Sequence, residues 1–208
     1  MLDFPQLVSE CAVEMAPSIL ERIVSVESSF NPWAIGVVGG RLARQPVNRM
    51  EAVATANYLH RAGWNFSLGL GQVNRHNLGK YGLDYNSVFE PCDNLRVTAR
   101  IFGECLQRAR LSLSEEQAQK AAFSCYYSGN FRRGFQPEGR NQQSYVDRIM
   151  AVNTTLNTAD NTPPPIPVIA DSATSSTRSP ASKSDSRLSR PGKEKAHSGI
   201  KELRGEGG

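Results

Sequence analysis

Glu27 is the residue in this 208-residue chain around which chemistry can be built. It stands in PSILERIVSVESSFNPWAIG, residues 17–36. At helical spacing Ile19, Ile23, Val26, Glu27 and Phe30 share one stripe, Leu20 and Val24 flank it, and Glu21, Arg22, Ser25 and Ser28 point elsewhere. Pro17 suits a first helical turn, and Asn31-Pro32 stops the helix, because the residue before a proline is pushed out of the α region. The carboxyl group therefore lies in the last turn, among apolar neighbours. Desolvation and the negative end of the helix dipole both raise its pKa above the roughly 4.3 of a free Glu, which suits a general acid working near neutral pH.

Two other stretches have unusual chemistry. In Ser67-Leu68-Gly69-Leu70-Gly71-Gln72-Val73-Asn74 two glycines interrupt an apolar run, a pattern that spoils helix and strand packing alike and implies close approach to the backbone. Gln72 adds a donor and an acceptor there, which suits a ligand rich in amides and hydroxyls. In Tyr126-Tyr127-Ser128-Gly129-Asn130 a helix ends at Gly129 with two tyrosines beside it. Neither 65–83 nor 123–137 contains an Asp or Glu, so Glu27 has no nearby partner carboxylate, and a two-carboxylate glycosidase is disfavoured. The four cysteines, Cys11, Cys92, Cys105 and Cys125, match no zinc pattern, and neither a metal nor a cofactor is expected.

The elements that must position these groups are mostly helical. A first helix over 2–14 has Leu7, Val8 and Cys11 on one face. Gly39-Gly40, between Ile35–Val38 and Arg41–Ala43, predicts a small hairpin or flap. A helix over 49–62 closes at Gly63. Leu95, Ala99, Phe102, Leu106 and Ala109 step by 4, 3, 4 and 3 residues and make 94–110 a core helix. Ser114-Glu115-Glu116-Gln117 is a capping box opening a helix with Ala118, Ala121, Ala122 and Cys125 on one side. A last helix covers 144–152, with Val146, Ile149 and Met150 on its apolar side. Residues 1–153 hold 16 Lys+Arg and 14 Asp+Glu, and 154–208 hold 8 and 6, a net +2 in each part, which is too little to indicate nucleic acid. No run approaches the ~18 apolar residues of a membrane span, and the first residues show no leader. The Pro- and Ser-rich stretch 154–208 lacks core-forming residues and reads as a disordered tail, with a polyproline segment at 163–167, suited to tethering or docking.

Taken in order, Glu27-Ser28-Ser29-Phe30-Asn31-Pro32 with Ala34, Gly69-Leu70-Gly71-Gln72, and Tyr126-Tyr127-Ser128-Gly129 resemble the soluble lytic transglycosylase superfamily. The nearest likeness is to the transglycosylase component of type IV secretion systems, through Cys11, residues 65–74, Glu90-Pro91-Cys92-Asp93-Asn94-Leu95 and Ser124-Cys125-Tyr126. The resemblance covers about residues 5–152 and implies a mainly α, lysozyme-like domain of the goose-type class with a small hairpin or flap. It also implies cleavage of the MurNAc-β-1,4-GlcNAc bond with formation of 1,6-anhydroMurNAc. On this likeness Glu27 is the catalytic acid. Ser29, Gly71, Gln72, Asn74, Tyr126 and Tyr145 line the substrate cleft, with Tyr126 reaching the acid. The usual Tyr-Asn-Ala-Gly reads Tyr126-Tyr127-Ser128-Gly129, so an aromatic replaces an amide. Tyr127, Phe131 and Phe135 are candidates for stacking on sugars or for core packing. The implied partners are peptidoglycan strands and secretion-system components, the latter through the tail, with no nucleic acid and no membrane span. A monomer acting in the periplasm is expected. A non-catalytic peptidoglycan-binding assembly factor and a hydrolytic lysozyme are the alternatives.

The even number of cysteines suits an exported, disulfide-bonded protein, and buried free thiols are the other reading. Along a helix, Cys92 and Cys105 stand roughly 20 Å apart, too far to pair. Two connectivities remain: Cys11 with Cys92 and Cys105 with Cys125, or Cys11 with Cys105 and Cys92 with Cys125. The composition break predicts that limited proteolysis trims the chain to about residues 1–153 with activity on isolated sacculi retained. Loss of activity on trimming would place the tail in the site or its support.

Overall fold

The computed structural model describes residues 4–139 and 141–154. From residue 155 on, the expected tail lies outside the described residues, and Thr154 is buried. Helix α1 spans Phe4–Cys11 and α2 spans Pro17–Ser28, with Pro17 in the first turn as its sequence demands. Ser29 and Phe30 both take left-handed conformations (φ 50° and 63°), so α2 stops short of Asn31-Pro32. Phe30 thereby leaves the apolar stripe. It is 43% exposed and sets its ring against the edge of Phe4, with centroids 5.0 Å apart. Glu21, expected to point outward, is buried, because α1 packs on α2 together with two later helices, α4 (Pro91–Arg110) and α6 (Tyr145–Met150).

The expected hairpin about Gly39-Gly40 does not form. Strand β1 (Ile35–Val37) pairs instead with β2 (Phe66–Leu68), which pairs in turn with β3 (Val73–Asn74). The sheet is antiparallel throughout, in the register Ile35↔Leu68, Gly36↔Ser67 and Ser67↔Asn74. A side chain does part of the work foreseen for the returning strand. The Gln45 amide accepts from the Ile35 N–H at 2.8 Å and donates to the Ile35 carbonyl at 3.0 Å, satisfying both groups of the β1 end. The small β feature therefore exists, but its partner strand is Phe66–Leu68, beyond α3 in the chain.

Helix α3 (Arg49–Arg61) is capped by the Asn48 side chain, which accepts from the Glu51 N–H, and Gly63 follows in the left-handed region (φ 76°). Helix α5 (Glu115–Ser128) carries the capping box of Ser114 and Gln117 and ends at left-handed Gly129 (φ 78°). Helix α6 is shorter than expected and has its own capping box of Ser144 and Asp147. The five residues that step along α4 at helical spacing are all buried. This helix joins three packed clusters: Leu95 and Ala99 meet α1 and α2, Val97 meets the sheet and α3, and Phe102, Leu106 and Ala109 meet α5 and α6.

Two disulfides fasten α4 to its neighbours. Cys11–Cys92 ties α1 to its first turn, and Cys105–Cys125 ties its second half to α5, with Cα separations of 4.9 and 5.8 Å. Of the two connectivities the sequence leaves open, the first is the one formed. Peptide mapping under thiol-blocking conditions is expected to recover these pairs. The loops they close span 81 and 20 residues. Replacing Cys11 and Cys92 by Ser is therefore expected to lower stability in urea by roughly 4–5 kcal/mol, and replacing Cys105 and Cys125 by roughly 3 kcal/mol. Equal losses for the two pairs would refute this loop-length account.

Candidate active site

Glu27, on the last turn of α2, opens into a cleft of about 560 Å³ between the sheet and the C-terminal end of α5. Its carboxyl group is held from behind. The Tyr145 hydroxyl, at the start of α6, donates to Glu27 Oε1 at 2.6 Å, and Tyr145 itself is only 1% exposed. The same two helices meet again where Arg22 Nη1 donates to the carbonyls of Ile149 and Met150 at 3.0 and 2.9 Å, satisfying the C-terminal end of α6. Burial pushes the Glu27 pKa up from 4.5 to about 7, against smaller downward pulls from the Tyr145 hydrogen bond and the Arg148 charge. Burial and the Glu27 charge both push Tyr145 well above its ordinary value, so this hydroxyl remains a donor. Glu27 is the single carboxylate in the cleft wall among the described residues. The other polar groups there are amides, hydroxyls and the Arg133 guanidinium.

The glycines of the second motif are approached closely, as their spacing suggests, and what approaches them is α4. Gly71 is buried with both backbone groups engaged: its N–H donates to Asn94 Oδ1 at 2.7 Å, and its carbonyl accepts from the Tyr126 hydroxyl at 2.5 Å. A Cβ at Gly71 would lie 1.9 Å from Thr98 Oγ1, and one at Gly69 would lie 2.2 Å from Asn94 Nδ2. The turn between β2 and β3 is thus pressed onto α4 and held there by Asn94, whose amide also donates to Leu68 O at 3.0 Å and Val88 O at 2.8 Å. Glycine at 71 is a packing requirement of the protein. The glycine that opens space toward the cleft is Gly36, where a Cβ would come 2.6 Å from Gln72 Oε1.

Gln72 takes a left-handed backbone (φ 51°), and its Nε2 donates to Ala34 O at 3.1 Å and Gly69 O at 2.9 Å, leaving Oε1 against Gly36 at the cleft. Asn74 lines the cleft beside Asn65 and Ser67 and donates to Asn65 Oδ1 at 2.9 Å. Tyr126 also lines it, but its hydroxyl is spent on Gly71, so Tyr145 and not Tyr126 is the tyrosine that touches the acid. Ser29 is exposed and caps α2 outside the cleft wall. Tyr145 sits behind the wall. Of the three stacking candidates, Tyr127 faces the cleft and Phe131 packs against the core, with Arg108 over its ring. Phe135 is 44% exposed and away from the cleft. Asn94, Thr98, Asn65, Arg22 and Arg133 are positioning or lining residues that sequence reasoning passed over. Only Asn94 and Thr98 left a signal, as two polar residues four apart on a face that is otherwise apolar.

A helical domain with a small antiparallel sheet, and one acid of raised pKa in a cleft otherwise lined by amides and hydroxyls, is the arrangement of a lysozyme-like glycan-cleaving enzyme. The chain belongs to the transglycosylase SLT domain family, whose model matches residues 7–145, and it is a lytic transglycosylase. It is 48% identical over 171 residues to the type IV secretion system protein virB1 of Brucella suis biovar 1 (strain 1330), covering 81% of this chain and 69% of that protein. The same figures hold for the protein of that name from Brucella abortus (strain 2308). Protein virB1 of Agrobacterium fabrum (strain C58 / ATCC 33970) is 31% identical over 135 residues, 64% of this chain and 54% of its own. No solved structure matches the chain.

Gly71→Ala is expected to destabilise the domain by roughly 1–3 kcal/mol in urea unfolding, because either the turn or α4 must shift. Gly79→Ala, with nothing within 4 Å of its Cβ, is the control and is expected to be near neutral. Equal behaviour of the two variants would remove the packing explanation.

Proposed function

We propose that this protein is the peptidoglycan lytic transglycosylase of a type IV secretion or conjugation system, acting in the periplasm to open the cell wall locally for assembly of the machine. One observation carries the chemistry: a single carboxyl group, its pKa raised by burial to about 7, faces a cleft that among the described residues has no second carboxylate in its wall. The names of the relatives support the secretion-system role, and the two disulfides support action outside the reducing cytoplasm.

Tyr145 occupies Oε1 of Glu27, so Oε2 carries the transferable proton. Glu27 gives that proton to the oxygen between MurNAc and GlcNAc as the C1–O bond breaks, and the substrate's own N-acetyl group stabilises the positive C1. The resulting carboxylate, held by the Tyr145 hydroxyl and the Arg148 charge, takes the proton from the MurNAc C6 hydroxyl, whose oxygen closes on C1. Glu27 ends protonated, the product ends in 1,6-anhydroMurNAc, and no water is consumed. Gln72 Oε1, Asn74 and Asn65 present the amides that orient the sugars.

Glu27→Gln is expected to abolish release of soluble muropeptides, to below a few per cent, with the fold intact. The wild type is expected to release products whose masses show anhydro ends. Reducing MurNAc ends would mean hydrolysis instead, and residual activity in the variant would move the catalytic role elsewhere. Activity is expected to fall as pH rises through about 7, because the acid must be protonated. The sign for stability follows from the same shift. The fold holds this proton more tightly than the unfolded chain does, so the ionised form destabilises it by on the order of 3 kcal/mol above pH 7, and there is no difference below about pH 4.5. Glu27→Gln should therefore unfold at a higher temperature than the wild type at pH 8 and at a similar one at pH 4.

A further inference from the structure

We propose that Tyr127 is a positioning residue for the acid, a ring laid flat over Tyr145 that keeps water off the Tyr145–Glu27 hydrogen bond. The inference rests on Glu27 being the catalytic acid. Tyr127 and Tyr145 are stacked with centroids 4.5 Å apart and planes 14° apart. Tyr145 is buried to 1% exposure, whereas Tyr127 is 38% exposed and forms part of the cleft wall. The ring of Tyr127 therefore stands between the cleft and the tyrosine that holds Glu27.

The stack on Tyr145 seats the ring, and a further contact holds its far end. The Tyr127 hydroxyl lies 2.9 and 2.7 Å from the two oxygens of Glu138 and donates to that carboxylate. Glu138 belongs to the connection between α5 and α6, where it bridges to Gln143 just before the Ser144 cap of α6. Arg133 faces the same carboxylate at 3.7 Å. One side chain thus links the end of α5, the connecting segment and the first residue of α6. In the Tyr-Asn-Ala-Gly pattern an Asn holds this position, and an amide has no flat apolar face to lay on Tyr145.

Taking the ring away admits water to the Tyr145 face, weakens the desolvation of Glu27 and lowers its pKa toward the ordinary carboxyl range. The groups that face Glu27 are Tyr145 and Arg148 from α6 and Tyr126 from α5, and none of them is altered by a change at 127. A substrate-binding role for Tyr127 predicts a different signature: weaker binding with an unmoved titration.

The test is a 13C carboxyl NMR titration of Glu27, assigned by its loss in Glu27→Gln, in the wild type, Tyr127→Asn and Tyr127→Phe. It is paired with kcat and KM on a soluble glycan oligomer. Tyr127→Asn uses the residue of the related pattern, and its fold is checked by thermal unfolding beside the wild type. It is expected to lower the Glu27 midpoint by about one unit or more and kcat at pH 7 about fivefold, with KM within about twofold, and Tyr127→Phe is expected to restore both. An unmoved midpoint in Tyr127→Asn, or a KM that rises while kcat holds, overturns the proposal. The NMR midpoint is read without catalysis, so failure of Glu27 as the acid, seen as activity in Glu27→Gln, is distinguishable from failure of Tyr127 as its cover.

Discussion

The hydrogen bond from Tyr145 to Glu27 spans 118 residues of sequence and decides where the acid points. A carboxyl group at the end of a helix is otherwise drawn to water. Here it is held in the cleft wall by a phenol whose pKa is raised well above its ordinary value, so that it does not compete for the charge. Arg22 fastens the other end of α6 to the same helix, α2, through two carbonyls. A six-residue helix has few internal hydrogen bonds, so α6 depends on this docking and on its own capping box to exist at all. The acid, its donor and the arginine therefore form one unit, and burial within it raises the Glu27 pKa against the pull of the Tyr145 hydrogen bond.

Opposite the acid, the cleft depends on α4. Its Asn94 is buried with every polar atom engaged, to the carbonyls of Leu68 and Val88 and the N–H of Gly71. This fixes the four-residue turn that presents Gln72. An amide so placed is strong because its alternatives are poor: removal would leave several buried backbone groups without partners. The two disulfides sit at the first turn and in the second half of the same helix. The turn that carries Gln72 is consequently braced against the helix that both disulfides fasten.

What could be read from the sequence follows from what is local. The apolar stripe of α4, both caps of α5 and the inward aim of Glu27 depend on residues within a turn or two, and spacing carries them. The partner of β1 was not legible, because Gly39-Gly40 is a sound turn signal whose return strand is pre-empted by Gln45 and by a pairing with β2, beyond α3 in the chain. The purpose of Gly71 was not legible either. A glycine pressed against Thr98 and one approached by a ligand look alike until α4 is in place. Tyr126 and Tyr145 exchange expectations for the same reason: which phenol meets the acid depends on how α5 and α6 rotate about their axes.

That rotation has a consequence for how the chain can vary. Tyr126 and Tyr127 leave α5 on neighbouring bearings, one bolted to the Gly71 carbonyl and the other laid on Tyr145. Each residue of an α-helix turns about 100°, so one residue inserted or deleted between Ser114 and Tyr126 swings both rings off their seats together. Helix α5 is locked in phase at both ends, by its capping box and by Gly129. A change of length in the segment 39–44 leaves both tyrosines in place, whereas one within α5 ahead of Tyr126 moves the two together.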